Sequence, residues 1–321
     1  MKKIYYITAV FATLFLVGCG DGIDLPGVNV ETDLNKIPLP DNNVNLEQVE
    51  LKPSTEPMLH EGLHTEEDFQ RIRDKKAAGE EPWISAYQLL VESQFSQKTA
   101  DTYPTEWIKR GVSGDENYMN AARGATIVYQ QALRWKIEQD DEYAAKAVEN
   151  LNKWVQTCVG VTGNTNLSLA AGLYGYEFAI AGELLRDYGG WDRADFAAFQ
   201  NWLLKVFYPA NDDFLKRHHD TNALHYWANW CLCNIAAKMA IGIVTDRRDI
   251  YNEGIAHLQT GDTNGRLRRA IYHDYAPDYN FAQWQESGRD QGHTLMCVGS
   301  MGIICQLAWS QGDDFFAYDD N

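Results

Sequence analysis

Several stretches of the sequence are apolar on most sides when they are drawn as helices, most clearly residues 167–188 and 290–310. A helix that is apolar all round must be shielded from water on every side, so these stretches predict an inner layer that an outer layer covers. Further helices are predicted at residues 82–97, 117–139, 142–158, 191–207, 222–244 and 249–258.

This alternation predicts an all-α protein built from antiparallel helix pairs, in an (α/α) toroid or incomplete barrel. An irregular multilayer helical bundle is the alternative. No sequence repeat is visible, and no run of alternating β-branched residues predicts a strand. A further helix is expected to begin after Thr65, because three acids follow it at residues 66–68.

The first 19 residues are predicted to form a targeting segment. Lys2 and Lys3 precede an apolar run, residues 7–17, that is too short to span a bilayer comfortably. The run ends in Leu16-Val-Gly-Cys19, which resembles a bacterial lipobox. It implies cleavage before Cys19 and a lipid-anchored protein in the outer membrane or periplasm of a Gram-negative bacterium. An ordinary signal peptide with a chance cysteine and an uncleaved anchor are the alternatives.

Residues 20–57 are rich in Gly, Asp, Asn and Pro and show no periodicity, which predicts a flexible tether. The folded toroid domain is then expected over residues 58–321. The last stretch, residues 313–321, has the composition of a turn that precedes another helix. We therefore expect a domain that is truncated at its C-terminus.

The net charge restricts the kinds of molecule that the protein can bind. The formal net charge is -17 at pH 7, which disfavours nucleic acid, and no protein partner is evident. The charge also repels an anionic polysaccharide, but salt screens this repulsion beyond about 8–10 Å. The 10 Trp and 17 Tyr suit a protein that stacks rings on sugars. Local basic residues are frequent in the last third of the chain, at Lys216, Arg217, Arg247, Arg248, Arg266, Arg268, Arg269 and Arg289.

The cysteines and histidines predict neither a metal nor a cofactor. Five of the 6 cysteines follow Cys19, and an odd number in apolar helical surroundings predicts buried free thiols. The histidines lack an HExxH pattern, and Asp262-Thr-Asn-Gly265 lacks the remaining ligands of a calcium loop. GxSxG, P-loop and dinucleotide-binding motifs are also absent from the sequence.

Two polar stretches interrupt the apolar pattern. The first, residues 217–230, places Asn222, His225 and Asn229 on one face of the predicted helix. An imidazole with a pKa of about 6.5 can serve as a base near neutral pH. The alternative is that these side chains cap neighbouring helices. His219 is a second histidine candidate for the site.

The second polar stretch, residues 283–293, holds Glu286, Arg289 and His293 at the same spacing. A structural ion pair between Glu286 and Arg289 is the alternative to a direct role. Tyr275 and Tyr279 lie between the two stretches and offer hydroxyl groups as proton donors. We expect the two polar stretches to face each other across one cleft.

Four runs of residues resemble the alginate lyase superfamily, most closely its bacterial lipoproteins. The resemblance covers roughly residues 60–321 and implies an (α/α) toroid. It also implies β-elimination on a uronic-acid polymer such as alginate or glucuronan. The runs are His225-Tyr-Trp-Ala-Asn-Trp230, Thr260-Gly-Asp-Thr-Asn-Gly265, Gln283-Trp-Gln-Glu-Ser-Gly-Arg-Asp-Gln-Gly-His293 and Gln311-Gly-Asp-Asp314.

The resemblance also implies catalytic roles. In such lyases an Asn, Arg or His neutralises the uronate carboxylate, a His or Tyr removes the C5 proton, and a Tyr protonates O4. On this sequence, Asn222 is the neutraliser and His225 the base, while Tyr279 or Tyr275 is the acid. Arg289 supports the developing negative charge. The implied substrate-binding residues are Asn166, His219, Trp227, Gln285, Glu286 and His293, of which Asn166 is also a second neutraliser candidate.

One departure and three alternatives stay open at this point. Some families place a tyrosine after the arginine of the last motif, whereas His293 follows Arg289 here. A glycoside hydrolase on a similar toroid would need two carboxylates about 5–10 Å apart, with Asp220, Glu286 and Asp290 available. A non-catalytic glycan-binding surface lipoprotein would need aromatic residues alone. An inactive fragment is the third alternative.

Overall fold

The computed structural model describes residues 55–275 and 282–318, and helices joined by short turns dominate it. The all-α prediction is therefore confirmed. The helices are α1 (Glu66–Ala77), α2 (Trp83–Glu92), α3 (Tyr118–Glu138), α4 (Asp141–Thr157), α5 (Leu167–Leu185), α6 (Arg193–Val206), α7 (Tyr208–Arg217), α8 (Ala228–Val244), α9 (Arg248–Thr260), α10 (Leu267–Ala270) and α11 (Gln291–Ser310). Short 3₁₀ turns follow α2 at Gln94–Ser96 and α7 at His218–Asp220.

Side-chain caps fix the starts of α1 and α6, and the first of these was predicted from the sequence. Thr65 Oγ1 accepts a hydrogen bond from the Asp68 N–H at 3.2 Å, and the Asp68 carboxylate accepts one from the Thr65 N–H at 2.9 Å. Asp192 caps α6 by accepting from the Ala194 N–H at 2.7 Å. Each cap satisfies an N–H group that has no partner inside its helix.

The inner layer consists of α3, α5, α8 and α11. Helix α5 packs against α3 on one side and α8 on the other, and α8 also packs against α11. Gly172 permits a close approach of α5 to α8, because a Cβ at that position would lie 2.5 Å from Cys233 Sγ. Helices α4, α6, α7 and α9 pack on the inner helices from outside. The structure thus has the layered, toroid-like arrangement that the apolar segments predicted.

Two short sheets were not predicted. Strand β1 (Trp107–Arg110) pairs in parallel with β2 (Gly160–Gly163), and β3 (Ile271–Asp274) pairs antiparallel with β4 (Ala282–Trp284). The sequence of residues 99–116 reads as a loop, because a strand of four residues carries too little alternation to be recognised. Both sheets lie in connections between helices and help to position the candidate site.

The four inner helices begin at the same end of the molecule, which we call the site end. The Asn117 side chain, before α3, bonds to the backbone of β1, and β2 leads directly into α5. Ser168 in the first turn of α5 contacts His219, which precedes α8. Gln285 accepts a hydrogen bond from the Ala228 N–H and so joins the start of α8 to the turn before α11. The N-termini of helices carry partial positive charge, so this end favours anions.

The predicted helix over residues 222–244 begins later, at Ala228, and the prediction was wrong for residues 222–227. Asn222 Oδ1 accepts from the Leu224 N–H at 2.8 Å, a local turn that competes with helix formation. Asn222 and His225 therefore lie in a loop and do not share a helical face with Asn229. Helix α7 was not predicted at all.

The cysteine prediction is confirmed within the described residues. The five cysteines there are free and buried in the helical layers: Cys158, Cys231, Cys233, Cys297 and Cys305. The predicted targeting segment, with Cys19, and most of the predicted tether lie outside the described residues. Among the helices described at residues 55–275 and 282–318, none has the length and apolarity that a membrane crossing requires.

Candidate active site

The segment between α7 and α8 brings His219 to the site end. His218, His219 and Asp220 have φ angles of 48°, 52° and 58°, a conformation that strains residues other than glycine. This turn lets His219 Nε2 meet Ser168 Oγ at 2.9 Å. His218 is instead buried against Phe214, and burial lowers the pKa of its imidazole.

The loop over residues 221–227 presents His225 to solvent. Asn264 Nδ2 holds this loop by donating to the carbonyl oxygens of Leu224 at 3.0 Å and Tyr226 at 2.8 Å. The His225 ring packs edge-on against Tyr226, with 5.0 Å between ring centroids. Its ring nitrogens bond to nothing in the part of the chain that the structure describes. The imidazole is therefore supported by one neighbouring ring, and its nitrogens are free to bond to a ligand.

Asn222 and Trp227 lie at the two ends of the same loop. Asn222 is exposed, and because its Oδ1 is engaged by the Leu224 N–H, its Nδ2 can donate to a substrate oxygen. The Trp227 side chain is 51% exposed, and Trp107 on β1 is 43% exposed. Exposed indole rings at the site end are suited to stacking on sugar rings.

Gln285 connects the two polar stretches that the sequence predicted to meet. Its Oε1 accepts from the Ala228 N–H at 3.1 Å. Its Nε2 donates to the Arg269 carbonyl at 2.7 Å and to Asn264 Oδ1 at 3.2 Å. Gln285 is buried, and both its amide oxygen and its amide nitrogen form hydrogen bonds within the protein. These contacts are those of a residue that positions its neighbours, whereas the sequence predicted a substrate ligand.

An ion pair in the turn before α11 holds Arg289. Glu286 has a φ of 63° and a side chain that is 1% exposed, and its Oε1 accepts from Arg289 Nη1 at 2.7 Å. The other oxygen, Oε2, is buried without a hydrogen-bond partner among the described residues. The Arg289 side chain itself is 54% exposed. The ion pair that was the alternative to a direct role is present, and it anchors an accessible guanidinium group. Both residues precede α11, so they share no helical face with His293.

Asp290 fixes the first turn of α11 and the His293 ring. Its Oδ1 accepts from the His293 N–H at 2.8 Å, and its Oδ2 lies 2.7 Å from His293 Nδ1. The hydrogen bond from the His293 backbone is the main cause of the lowered pKa of Asp290. A carboxylate at this position favours a proton on Nδ1, which leaves His293 Nε2 for a substrate group.

Of the two tyrosine candidates for the general acid, only Tyr275 is among the described residues. The Tyr275 hydroxyl donates to Gln283 Oε1 at 3.0 Å across the β3–β4 sheet, and its ring lies edge-on to His273. Tyr279 falls outside the described residues. The choice between them as proton donor stays a prediction.

The start of α5 places Asn166 at the site end. Asn164 Oδ1 accepts from both the backbone N–H and the side-chain Nδ2 of Asn166, each at 2.9 Å. Asn166 is partly exposed and directly precedes α5. It lies two residues before Ser168, the partner of His219, so the predicted second neutraliser and the predicted histidine ligand are brought to the same place.

Arg110, which was not among the predicted site residues, ends β1 beside the start of α5. Its register partner in β2 is Gly163, three residues before Asn166. Its guanidinium carbon lies 4.7 Å from the centroid of the Tyr118 ring, at the start of α3. The only sequence signal was a basic residue followed by Gly111 in an apparent loop.

Comparison with solved structures supports the toroid-like fold. Alginate lyase A1-III with one histidine replaced by alanine, complexed with tetrasaccharide, gives a TM-score of 0.59 at 14% identity over 79% of this chain and 71% of its own. A variant with one tyrosine replaced by phenylalanine, also complexed with tetrasaccharide, gives 0.55 at 14% over the same shares. Alginate lyase A1-III from Sphingomonas species A1 gives 0.56 at 13% over 82% and 75%. At this identity the likeness concerns the fold.

The helical toroid, together with its match to a known family, places the protein in the class of polysaccharide lyases. The sequence profile of the alginate lyase family matches residues 72–321. This protein belongs to the alginate lyase family, as the four motif runs indicated. The comparison with curated proteins gives no match.

Proposed function

We propose that this protein cleaves a uronic-acid polymer, such as alginate or glucuronan, by β-elimination. The main support is that an exposed imidazole, two side-chain amides and an anchored guanidinium group lie at the site end, where the four inner helices begin. His225, Asn222, Asn166 and Arg289 supply these groups. Family membership gives the lyase class, and the positive ends of the helices favour an anionic sugar despite the net charge of -17.

In the proposed reaction, Asn222, with Asn166 as the second candidate, binds the uronate carboxylate and thereby acidifies the C5 proton. His225 removes that proton, and Arg289 stabilises the negative charge that develops. A tyrosine hydroxyl, of Tyr275 or Tyr279, protonates O4 as the C4–O4 bond breaks. The electron pair of the C5–H bond becomes the new C4–C5 double bond, so no water is consumed.

The carboxylates at the site end do not favour a hydrolase. Glu286 is buried and paired with Arg289, and Asp290 is engaged by His293. Asp220 lies 3.5 Å from a nitrogen of Arg217. Each candidate acid thus already faces a cationic or hydrogen-bonding partner, so no pair of carboxylates is free to flank a glycosidic bond as hydrolysis requires.

Elimination is directly measurable, because the unsaturated uronate absorbs ultraviolet light whereas the intact polymer does not. We expect the purified protein to raise this absorbance with alginate or glucuronan, without added metal, and to leave a neutral glucan unchanged. The neutral glucan is the control for contaminating activities. New reducing ends without absorbance would contradict elimination and favour hydrolysis.

We also propose that the protein is anchored to the cell envelope through Cys19, on the evidence of Leu16-Val-Gly-Cys19. A single acyl-modified cysteine with its diacylglycerol would hold the domain at the membrane surface. Replacing Cys19 with serine is expected to move the protein from the membrane fraction to the soluble fraction and to abolish incorporation of labelled fatty acid. An unchanged distribution would contradict the anchor.

A further inference from the structure

Asn264 lies in a turn between α9 and α10 that packs directly on α8. The turn is closed by a hydrogen bond from the Arg266 N–H to the Thr263 carbonyl oxygen at 3.2 Å. A Cβ on Gly265 would lie 2.3 Å from the Cβ of Cys231 in α8, so only glycine permits this approach. The backbone of Asn264 is therefore fixed against an inner helix, close to where that helix begins.

The Asn264 side chain uses both hydrogens of its amide on the loop that carries His225. Its Nδ2 donates to the carbonyl oxygens of Leu224 at 3.0 Å and Tyr226 at 2.8 Å, which are the residues on either side of His225. Leu224 and His225 are themselves exposed. Because exposed loop residues open easily where stabilising contacts are few, the two hydrogen bonds from Asn264 restrict the backbone on both sides of the imidazole.

The amide of Gln285 continues this network and fits in one orientation alone. Its Nε2 donates to Asn264 Oδ1 at 3.2 Å and to the Arg269 carbonyl oxygen at 2.7 Å, and its Oε1 accepts from the Ala228 N–H at 3.1 Å. Because carbonyl oxygens only accept and a backbone N–H only donates, exchanging the nitrogen and oxygen of Gln285 would break all three hydrogen bonds. Every N–H group of the Asn264 and Gln285 side chains is thus paired, which fixes the two amides relative to each other.

Gln285 directly precedes Glu286, whose buried carboxylate accepts from Arg289 at 2.7 Å. We propose that Asn264 and Gln285 form an amide clamp, which sets the position of the His225 imidazole relative to the Arg289 guanidinium group. Both are positioning residues, because they act through His225 and Arg289 and do not themselves need to touch the substrate. A displacement of about 1 Å at a reacting group can lower a rate about 100-fold. This inference rests on the proposed function, since it requires abstraction of the C5 proton at the site end.

The test is the rate of elimination by Asn264→Asp, which keeps the shape of the side chain and replaces both N–H donors with an acceptor. We expect kcat to fall by about 10–100-fold. In the His225→Ala background the same substitution should lower the residual rate by less than about threefold, because the imidazole that the clamp positions is absent. Asn150→Asp is the matched control, since Asn150 is a buried amide in the outer helix α4 that donates to the Ala100 carbonyl oxygen at 3.0 Å. It should lower thermal stability and leave the kcat of the folded protein unchanged.

The outcomes separate this inference from the proposed function. If the wild-type protein eliminates the acidic polymer and Asn264→Asp does so with the same kcat, the clamp is overturned and the lyase activity stands. An equal loss of rate in the His225→Ala background, or in Asn150→Asp, means that the effect does not pass through His225, and the clamp is again overturned. Asn264→Ala removes the donors without adding a charge and takes the place of Asn264→Asp if that variant does not fold. A wild-type protein that leaves the acidic polymer intact would overturn both.

Discussion

Replacing His225 with alanine is expected to lower kcat for elimination by about 10²–10⁴-fold, which is the usual contribution of a general base. Stability should hardly change, because the side chain is exposed and makes one edge-on contact with Tyr226. The measurement is the rate of ultraviolet absorbance increase at saturating substrate. Since the His225 ring is open to solvent, added imidazole should restore part of the lost rate.

His293→Ala is the matched control, since it removes the other well-placed imidazole at the site end. His293 is tied to Asp290 through Nδ1, so we expect its loss to raise KM more than it lowers kcat. If His225→Ala turned over normally and His293→Ala were inactive, the base would be His293, and our assignment of His225 would be wrong. Imidazole rescue of the inactive variant would then identify the missing group.

Glu177→Gln is expected to stabilise the protein, most strongly above pH 8. Glu177 is 8% exposed in α5, its carboxyl makes no hydrogen bond within the described residues, and burial raises its pKa from 4.5 to about 8. The folded protein therefore holds a proton that the unfolded chain releases. Stability falls as pH rises from about 4.5 to about 8 and is level above that. The interval between these two pKa values, at about 1.4 kcal/mol per pH unit, sets an upper limit of about 5 kcal/mol on the stability that is lost.

The measurement is the free energy of unfolding in urea as a function of pH. Glu177→Gln should flatten the decline and gain most at high pH. Glu183→Gln on the same helix is the control, because Glu183 is buried but paired with Arg186 at 2.8 Å. Glu183→Gln should destabilise the protein by about 1–3 kcal/mol, because it removes the ion pair with Arg186. A decline with pH as steep in Glu177→Gln as in the wild-type protein would show that another group titrates.

The sequence predicted the helical layers well because burial leaves a strong periodic signal. The stretches 167–188 and 290–310 correspond closely to the inner helices α5 and α11, and the cap at Thr65 was visible from the acids that follow it. The prediction of a helix over residues 222–244 was only partly correct. There the apolar pattern continues past the true helix start, and a contact from Asn264, distant in sequence, holds residues 224–226 in a loop. Such a long-range contact leaves no periodic signature.

The residue types of the candidate site were visible in the sequence, but their contacts were not. Gln285 was visible as one polar residue among several, yet only the fold shows that its amide joins the two polar stretches. Arg110 carried almost no signal, because its position beside the start of α5 depends on its strand partner, Gly163. Residue types thus predicted an acidic-sugar site, whereas the contacts of individual residues depend on segments that are distant in sequence.

The most direct test of elimination uses a uronate oligosaccharide of defined length whose reducing end is blocked. Mass spectrometry of the fragments that retain the blocked end shows whether water entered the cleaved bond. Our account predicts blocked fragments lighter than the corresponding saturated oligosaccharides by the mass of one water, with matching ultraviolet absorbance. Blocked fragments with the full saturated mass would show hydrolysis and would contradict the proposed reaction.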